Sequence, residues 1–257
     1  MTTGPRKTHD FCWLNLMTPK ANAARDFFAG LLGWTYGEMP GAPGGSLILV
    51  DGLAAGAMMD LDANVMPPGT PPVIGAMVRV DDAAATVAKA VALGGQGDPP
   101  MTVMENGRMA LVTDPCGAMI GLWEPLSKHG FDCDGRAHGA PTWFETLTSD
   151  DAKAVAFYGA LFGWTAKAEH PAPGMTYHLL SLDGAPVAGA MRIAPPMPPV
   201  PSHWATTFAV RGIDEVAARC ARLGGELCMP VHGLDGVGRF ALLKSPQGVS
   251  FSVMEWA

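Results

Sequence analysis

The sequence repeats itself at an offset of about 130 residues. The segment FFAGLLGW at 27–34 corresponds to FYGALFGW at 157–164, and Leu-Gly-Gly at 93–95 corresponds to the same tripeptide at 223–225. Further matches follow in the same order: Ala55-Gly56-Ala57-Met58 with Ala188-Gly189-Ala190-Met191, Asp114-Pro115-Cys116-Gly117 with Ser245-Pro246-Gln247-Gly248, and Glu124 with Glu255. The chain is therefore a tandem duplication, which restricts its fold to two copies of one architecture.

The repeat sets the expected domain boundaries. We expect a first domain at 1–126, a linker at 127–139 that is rich in glycine and charge, and a second domain at 140–257. Each half divides again at a proline cluster, 67–72 in the first and 195–201 in the second. Because proline lacks a backbone N–H, such runs fit neither a helix interior nor a central strand and are predicted to be connectors.

Every quarter of the chain shows the same pattern of elements, namely a strand, a helix and then two or three short strands. In the first quarter, Phe11 to Met17 is predicted to be a strand, Thr18 caps the following helix and Gly33 ends it. Ser149 and Gly163 mark the ends of the equivalent helix in the third quarter. The pattern predicts an α+β fold of four tandem βαβββ modules, two in each half.

Composition excludes several classes of protein. Hydrophobic residues make up 48% of the 257 residues, which is enough for a real core, and the net charge of −7 gives no basic stripe for nucleic acid. The five cysteines form no Cys-x-x-Cys pair, and the first residues contain no apolar signal segment. The longest uncharged stretch contains five prolines and does not suit a membrane helix. We therefore expect a cytoplasmic protein that binds neither nucleic acid nor a membrane.

The four modules, the Gly-Trp helix ends, the Leu-Gly-Gly helix ends and the turn before a strand that ends in glutamate together resemble the vicinal oxygen chelate superfamily. That superfamily includes glyoxalase I, extradiol dioxygenases and bleomycin-binding proteins. The resemblance runs from about His9 to Trp256 and is greatest for two-domain glyoxalase/bleomycin resistance protein/dioxygenase-like proteins. It implies two domains with curved mixed sheets that form cups, although it does not say whether a cup forms within one half or between halves.

The resemblance also implies where metal ligands would lie: in the first strand of a module pair, in the strand that opens the next module, and in the last strand. In this chain those positions fall on Trp13, Gly75 and Glu124 in the first half and on Trp143, Ala205 and Glu255 in the second. A catalytic zinc or iron needs about three protein ligands. We therefore expect no metal or other cofactor, with a divalent metal as the alternative.

Side chains alternate between the two faces of a strand, which allows a replacement set in the second half. If Ala205 faces the cup, so does His203, and if Trp143 does, so does Glu145. The predicted catalytic residues are then Glu145, His203 and Glu255, which are also the predicted ligands if a metal binds. The predicted ligand-binding residues are Trp13, Asn15, Glu124, Trp143 and Arg239.

Each candidate also has a simpler interpretation. Trp13 and Trp143 could be core residues, Glu145 and Glu255 could be surface carboxylates, and His203 could be a capping or surface histidine. His178 lies on a predicted strand and could face either a cup or solvent. A tryptophan on a cup floor would instead provide a surface on which a flat ligand stacks.

Two functions follow from these candidates. The first is a binding protein of the glyoxalase/bleomycin-resistance type that lacks the full metal site and takes a small aromatic or dicarbonyl molecule. The alternative is a metal-dependent enzyme, either a glyoxalase-like lyase or a dioxygenase-like oxidoreductase, that uses a rebuilt site in the second half. Whether the protein is an enzyme stays open at this point, as does its state as a monomer or a homodimer.

Overall fold

The computed structural model describes residues 6–39, 41–63, 66–127, 130–171, 174–195 and 197–257. Besides a one-turn 3₁₀ helix at Leu61–Ala63, the first half contains two α-helices and nine strands within those ranges: β1 (Phe11–Thr18), α1 (Ala21–Leu32), β2 (Thr35–Glu38), β3 (Gly45–Val50), β4 (Leu53–Asp60), β5 (Val73–Arg79), α2 (Ala83–Ala92), β6 (Gln96–Gly97), β7 (Met101–Val103), β8 (Gly107–Thr113) and β9 (Met119–Pro125).

The second half repeats this order with one strand fewer among the described residues. Its elements are β10 (Pro141–Thr148), α3 (Asp151–Phe162), β11 (Thr165–Glu169), β12 (Tyr177–Leu182), β13 (Ala185–Arg192), β14 (His203–Ala209), α4 (Ile213–Arg222), β15 (Glu226–Leu234), β16 (Gly238–Lys244) and β17 (Ser250–Trp256). The predicted α+β fold of four βαβββ modules is confirmed, and the second module carries the additional short strand.

Each half forms one open mixed sheet. The first sheet has the order β2-β3-β4-β1-β5-β9-β8-β6, with β7 paired to β8, and the second has the order β11-β12-β13-β10-β14-β17-β16-β15. The first strand of each half runs parallel to one neighbour and antiparallel to the other. All strands of a sheet come from one half, which answers the question that the sequence left open: each sheet is built within its own half.

Strand register corrects one of the sequence matches by a single residue. Asn15 on β1 pairs with Ala57, whereas Glu145 on β10 pairs with Gly189. Gly189 therefore corresponds to Ala57 and not to Gly56. Because a shift of one residue moves a side chain to the other face of a sheet, the two glycines serve different faces. A Cβ at Gly56 would overlap Leu14, a residue of the core.

The helix ends follow the sequence better than the helix starts do. Gly33 and Gly163 end their helices in the left-handed conformation, with φ of 70° and 75°, as predicted. Thr18 is not the cap of α1, because it is the last residue of β1 and pairs with β4. The helix begins three residues later. In the equivalent position of the second half, Asp150 rather than Ser149 caps α3, and its carboxylate accepts from the backbone N–H of Lys153.

The two halves share one hydrophobic core. Phe11 of β1 stacks on Phe144 of β10 with ring centroids 4.0 Å apart, and both rings are fully buried. The core cluster includes residues from all four helices and from both sheets. Each sheet therefore has a covered face, which packs against helices and the other half, and an open face, which we define as the opposite side.

The repeated Gly-Trp motif joins the halves symmetrically. The indole N–H of Trp34 donates to the carbonyl of Gly139, just before β10, at 2.8 Å. The indole N–H of Trp164 donates to the carbonyl of His9, just before β1, at 2.9 Å. The tryptophan that follows each helix therefore binds the backbone just before the first strand of the other half. The motif that reveals the duplication in the sequence is an interface between the two copies.

The segment predicted to be the linker also takes part in packing. Phe131 and Cys133 are buried, and Phe131 lies parallel to the ring of Phe144. Two residues of this segment, Lys128 and His129, and Pro196 of the second proline connector lie outside the described residues. In the described part of the chain, every helix is too short or too polar to cross a membrane.

Candidate functional site

The open face of the second sheet carries a group of polar and aromatic side chains at its centre. On β10, Trp143, Glu145 and Leu147 face this side and alternate with the buried Phe144 and Thr146. Their pairing partners on β14 share the face: Thr207 opposite Trp143, Ala205 opposite Glu145 and His203 opposite Leu147. The sequence-based placement of Trp143, Glu145 and His203 on one face thus agrees with the strand register.

Three of the side chains form a chain of hydrogen bonds. The indole N–H of Trp143 donates to the hydroxyl oxygen of Tyr177 at 2.8 Å. The Tyr177 hydroxyl is in turn the hydrogen-bond partner of the Glu145 carboxyl. Tyr177 lies on β12, two strands away from β10, so its side chain has to cross β13 to reach both partners.

Gly189 on β13 makes this crossing feasible. It pairs with Glu145 on one side and with Leu179 of β12 on the other, directly beneath the path of the tyrosine. A Cβ at this position would lie within 3.0 Å of both the hydroxyl oxygen and the Cζ of Tyr177. Because real Cβ atoms do not approach other atoms so closely, only glycine lets the ring lie there.

Burial sets the electrostatics of this group. Desolvation raises the pKa of the Glu145 carboxyl above its ordinary value, and the hydrogen bond with Tyr177 offsets part of the rise. Burial and the neighbouring Glu145 carboxyl also raise the pKa of the Tyr177 hydroxyl, which therefore keeps its proton at neutral pH. The result is a partly buried carboxyl group that keeps its proton to a higher pH than an ordinary glutamate, on the same face as Trp143 and beside Tyr177.

His203 shares the face with Glu145 but bonds elsewhere. It lies two positions along β14 from Ala205, the partner of Glu145. Its Nδ1 is 2.8 Å from the carbonyl of Pro201, two residues earlier in the chain. A hydrogen bond between these atoms requires Nδ1 to carry the proton. The histidine is partly exposed and is the first residue of β14.

Glu255 lies on the covered side of the sheet, unlike the prediction that placed it beside Glu145. Ser252 on β17 is the neighbour of Thr207 and shares its face, so the alternation turns residue 255 to the other side. Its carboxylate accepts from the backbone N–H of Gly212 at 2.5 Å, at the start of α4. Gly212 has no side chain to cap the helix, so Glu255 supplies the acceptor that the first turn needs.

Glu124 caps a helix as Glu255 does, whereas Arg239 pairs with a carboxylate of α4. Glu124 accepts from the backbone N–H of Ala83 at 3.0 Å, at the start of α2, and lies 3.6 Å from Arg108. Arg239 forms two hydrogen bonds with Asp214 of α4, at 2.7 and 2.8 Å, and lies 3.8 Å from Glu255. The structure thus places both predicted ligand-binding residues at helix starts, and not with Trp143 and Glu145.

The open face of the first sheet lacks the polar group. Asn15 occupies the position of Glu145, and its side-chain amide is 3.2 Å from the sulfur of Met77. Gly45 occupies the position of Tyr177, since it pairs with Met59 as Tyr177 pairs with Met191. A small apolar cluster surrounds Trp13 on this face, with Cys12, Met77, Met109 and Trp123 among its members.

Tyr177 is the site residue that sequence reasoning missed. The sequence left open the direction of its neighbour His178, whose Nε2 in the structure is 3.0 Å from a carboxylate oxygen of Asp151 on α3. Since neighbours on a strand face opposite sides, His178 on the helix side places Tyr177 on the open face. The signal in the sequence that His178 faces the helix is Asp151, an acidic residue at the start of α3 that can pair with it.

The described residues do not fit the divalent metal that the resemblance implies. At the three expected positions of the second half stand a tryptophan, an alanine and a glutamate that faces the helices. Within the described ranges, no three His, Cys, Asp or Glu side chains come together in a group that could hold a metal ion. On the open face Glu145 is a single carboxylate beside the Tyr177 hydroxyl, which falls short of the about three protein ligands that zinc or iron needs.

The chain belongs to the Glyoxalase/Bleomycin resistance protein/Dioxygenase superfamily, whose family model matches residues 11–122 and again 141–253. Solved structures agree on the fold. The Mn(II)-bound glyoxalase from Novosphingobium aromaticivorans superposes with a TM-score of 0.66 at 13% identity, covering 97% of this chain and 82% of that one. The 2,2',3-trihydroxybiphenyl 1,2-dioxygenase from Sphingomonas wittichii strain RW1 gives the same score and identity, covering 97% and 91%.

Two curated relatives match nearly the whole chain. The "Putative glyoxylase CFP32" of Mycobacterium bovis is 38% identical over 248 residues, which cover 95% of this chain and 93% of the relative. The "Anthracycline biosynthesis protein DnrV" of Streptomyces peucetius is 32% identical over 256 residues, covering 95% and 92%. The family is therefore established, and the two relatives carry names from different areas of chemistry.

Proposed function

We propose that this protein binds a small, flat aromatic molecule on the open face of the second sheet and does so without a protein-bound metal. The observation that carries the proposal is the chain from Trp143 through Tyr177 to Glu145, held over Gly189. Small-molecule sites combine apolar and aromatic walls with a few placed polar groups, and this group has that composition.

The surroundings of the group support an aromatic ligand. Trp143 and Tyr177 are partly exposed, so their rings are available for stacking, and Leu147 and Met191 continue the apolar surface around them. Aromatic rings prefer offset or edge-on contacts with other rings, which favour a flat ligand over a branched one. One relative is named as an anthracycline biosynthesis protein, and anthracyclines are polycyclic aromatic compounds, which is consistent with this choice.

The site is tested by titrating the full-length protein with anthraquinone-2-sulfonate, a flat probe without a hydroxyl group, by isothermal titration calorimetry. Trp143→Leu and Trp13→Leu are compared with the unsubstituted protein, since these tryptophans lie at equivalent positions of the two open faces. We expect Trp143→Leu to weaken binding about tenfold and Trp13→Leu to have less than a twofold effect. The reverse result would move the site to the first sheet.

The absence of a required metal is tested separately. Protein washed with a chelator should bind the probe with unchanged affinity, and elemental analysis should find less than one equivalent of zinc, iron or manganese. Binding that disappears on chelation and returns with a stoichiometric divalent metal would contradict a metal-free site.

The alternative function, a metal-dependent lyase or oxygenase that uses Glu145, His203 and Glu255, has weaker support. Glu255 lies on the covered side of the sheet, where it caps α4, and His203 bonds to a backbone carbonyl. The name of the mycobacterial relative keeps the question of enzymatic activity worth testing. Methylglyoxal with glutathione, and catechol with oxygen, each with added Mn²⁺ or Fe²⁺, are the substrates to assay; turnover that Glu145→Gln abolishes would favour this alternative.

A further inference from the structure

The direction of the hydrogen bonds in the second-sheet group is fixed by chemistry. An indole N–H can only donate, so the Tyr177 oxygen accepts from Trp143. The tyrosine has one hydroxyl hydrogen, which is then directed to Glu145. Trp143 donates to Tyr177 and Tyr177 donates to Glu145, so the carboxyl is the accepting end of the chain.

The acceptor capacity of Glu145 is larger than what the protein supplies. An ionised carboxylate has about four positions that accept hydrogen bonds. Within the described residues, burial and the single hydroxyl of Tyr177 account for the environment of this carboxyl, and no Lys or Arg forms an ion pair with it. Glu145 is only partly buried and faces the open side of the sheet, so its free acceptor positions can be reached from solvent. A hydrogen-bond donor on a ligand that lies against Trp143 and Tyr177 can fill one of these positions.

The other open face provides an internal comparison. There the equivalent position is Asn15, whose amide can both donate and accept, and the position of Tyr177 is a glycine. The requirement for an added donor is therefore specific to the second sheet. The same comparison explains why the ligand should be recognised there by a polar group at its edge, in addition to the flat contact of its rings.

We propose that the ligand is an aromatic hydroxyl compound, a phenol or an enol on a fused ring system, whose hydroxyl group donates to Glu145 while its rings lie against Trp143 and Tyr177. A hydroxyl suits this carboxyl in both of its protonation states, because it donates to the carboxylate and accepts from the neutral acid. This inference rests on the proposed function, since it names the ligand class for the same site.

The probes are 2,6-dihydroxyanthraquinone, whose hydroxyl groups lie too far from the ring carbonyls for an internal hydrogen bond, and its dimethyl ether, which cannot donate. Affinities are measured by calorimetry for the unsubstituted protein, for Glu145→Gln, and for Glu105→Gln as a matched control on an exposed turn of the first half. We expect the dihydroxy compound to bind about tenfold more tightly than the ether, because the ether has methyl groups in place of the hydroxyl hydrogens and cannot donate a hydrogen bond to Glu145. Glu145→Gln should reduce the preference to about twofold to threefold, and Glu105→Gln should keep it.

A second variant separates the roles of the carboxyl and the hydroxyl. Tyr177→Phe keeps the ring over Gly189 but removes the donor to Glu145, so the preference for the dihydroxy probe should persist. A preference lost in Tyr177→Phe and kept in Glu145→Gln would assign recognition to the tyrosine and overturn the inference. A red shift of the visible band of the dihydroxy probe on binding, absent with Glu145→Gln, would directly show that its proton is shared.

The two proposals fail in different ways. Equal binding of the dihydroxy compound and the ether would overturn the hydroxyl inference and leave the flat-ligand site in place. If neither of these probes nor anthraquinone-2-sulfonate binds, the proposed function fails and the inference fails with it.

Discussion

Replacing Gly189 with alanine should break the hydrogen bonds among Trp143, Tyr177 and Glu145 without changing any of these three residues. The added methyl carbon would lie within 3.0 Å of the hydroxyl oxygen and the ring of Tyr177, so the ring has to leave its place. The indole N–H of Trp143 and the Glu145 carboxyl then lose their tyrosine partner.

The magnitude follows from the two hydrogen bonds. Each contributes about 0.5–1.5 kcal/mol, and alanine returns about 0.5–1 kcal/mol by being less flexible than glycine in the unfolded chain. We therefore expect Gly189→Ala to lower the free energy of unfolding by about 1 kcal/mol. The matched control is Gly75→Ala on the open face of the first sheet, where a Cβ would have only one backbone oxygen nearby, at 3.9 Å. That variant should be neutral or slightly stabilising.

The assay is urea unfolding followed by circular dichroism, for Gly189→Ala, Tyr177→Ala and the double variant. If the methyl group acts by displacing the tyrosine, the alanine should cost nothing once the tyrosine is gone, and the double variant should match Tyr177→Ala. Additive effects of the two substitutions, or equal effects of Gly189→Ala and Gly75→Ala, would refute the reasoning. The chain itself carries alanine at the equivalent position 57, where no tyrosine crosses the strand.

Further predictions concern the helix start, the buried carboxyl and the shared core. Glu255→Ala should destabilise the protein by about 1 kcal/mol, because the backbone N–H of Gly212 loses its acceptor, and should leave probe affinity unchanged; a large loss of affinity would place Glu255 in the site after all. Because the pKa of Glu145 is raised above its ordinary value of 4.5, the folded state holds its proton longer than the unfolded state does, and stability should fall as pH rises from that value through the folded pKa. Urea unfolding between pH 4 and 8 should show this slope in the unsubstituted protein and less of it in Glu145→Gln, and identical slopes would contradict it. Phe11→Ala should cost about 3–5 kcal/mol and shift one unfolding transition in calorimetry, since the ring stacks on Phe144 of the other half; two separate transitions would show that the halves unfold independently.

Much of the fold could be predicted from the sequence because its strongest signals are local or repeated. The Gly-Trp and Leu-Gly-Gly segments lie at helix ends, where the left-handed glycines at 33 and 163 are written directly in the sequence. The start of α1 was missed because threonine at position 18 is compatible with both a cap and a strand. Thr18 belongs to the strand because it pairs with Asp60 of β4, a contact between residues distant in sequence.

The site could be predicted only in part, since its members come from three strands. Alternation along β10 and β14 was enough to place Trp143, Glu145 and His203 on one face. On β17 the same alternation turns Glu255 away from them, because Ser252 shares the face of Thr207. The position of Tyr177 could not be predicted without the strand register, because its ring reaches Glu145 only by lying over Gly189 of β13. Matching the repeats by sequence aligns Gly189 with Gly56, one residue away from its structural equivalent Ala57.

The exchange of indole hydrogen bonds between the halves has a consequence for how the chain is made and can be divided. Phe11, Phe144 and the aromatic residues around them are buried because each half covers the aromatic surface of the other. A half expressed alone would present that surface to water and would be expected to pair with a second copy of itself or to precipitate. The shared aromatic core and the two indole hydrogen bonds stabilise the pair of halves. The open faces lie outside this interface and can differ in sequence, as Asn15 and Glu145 do.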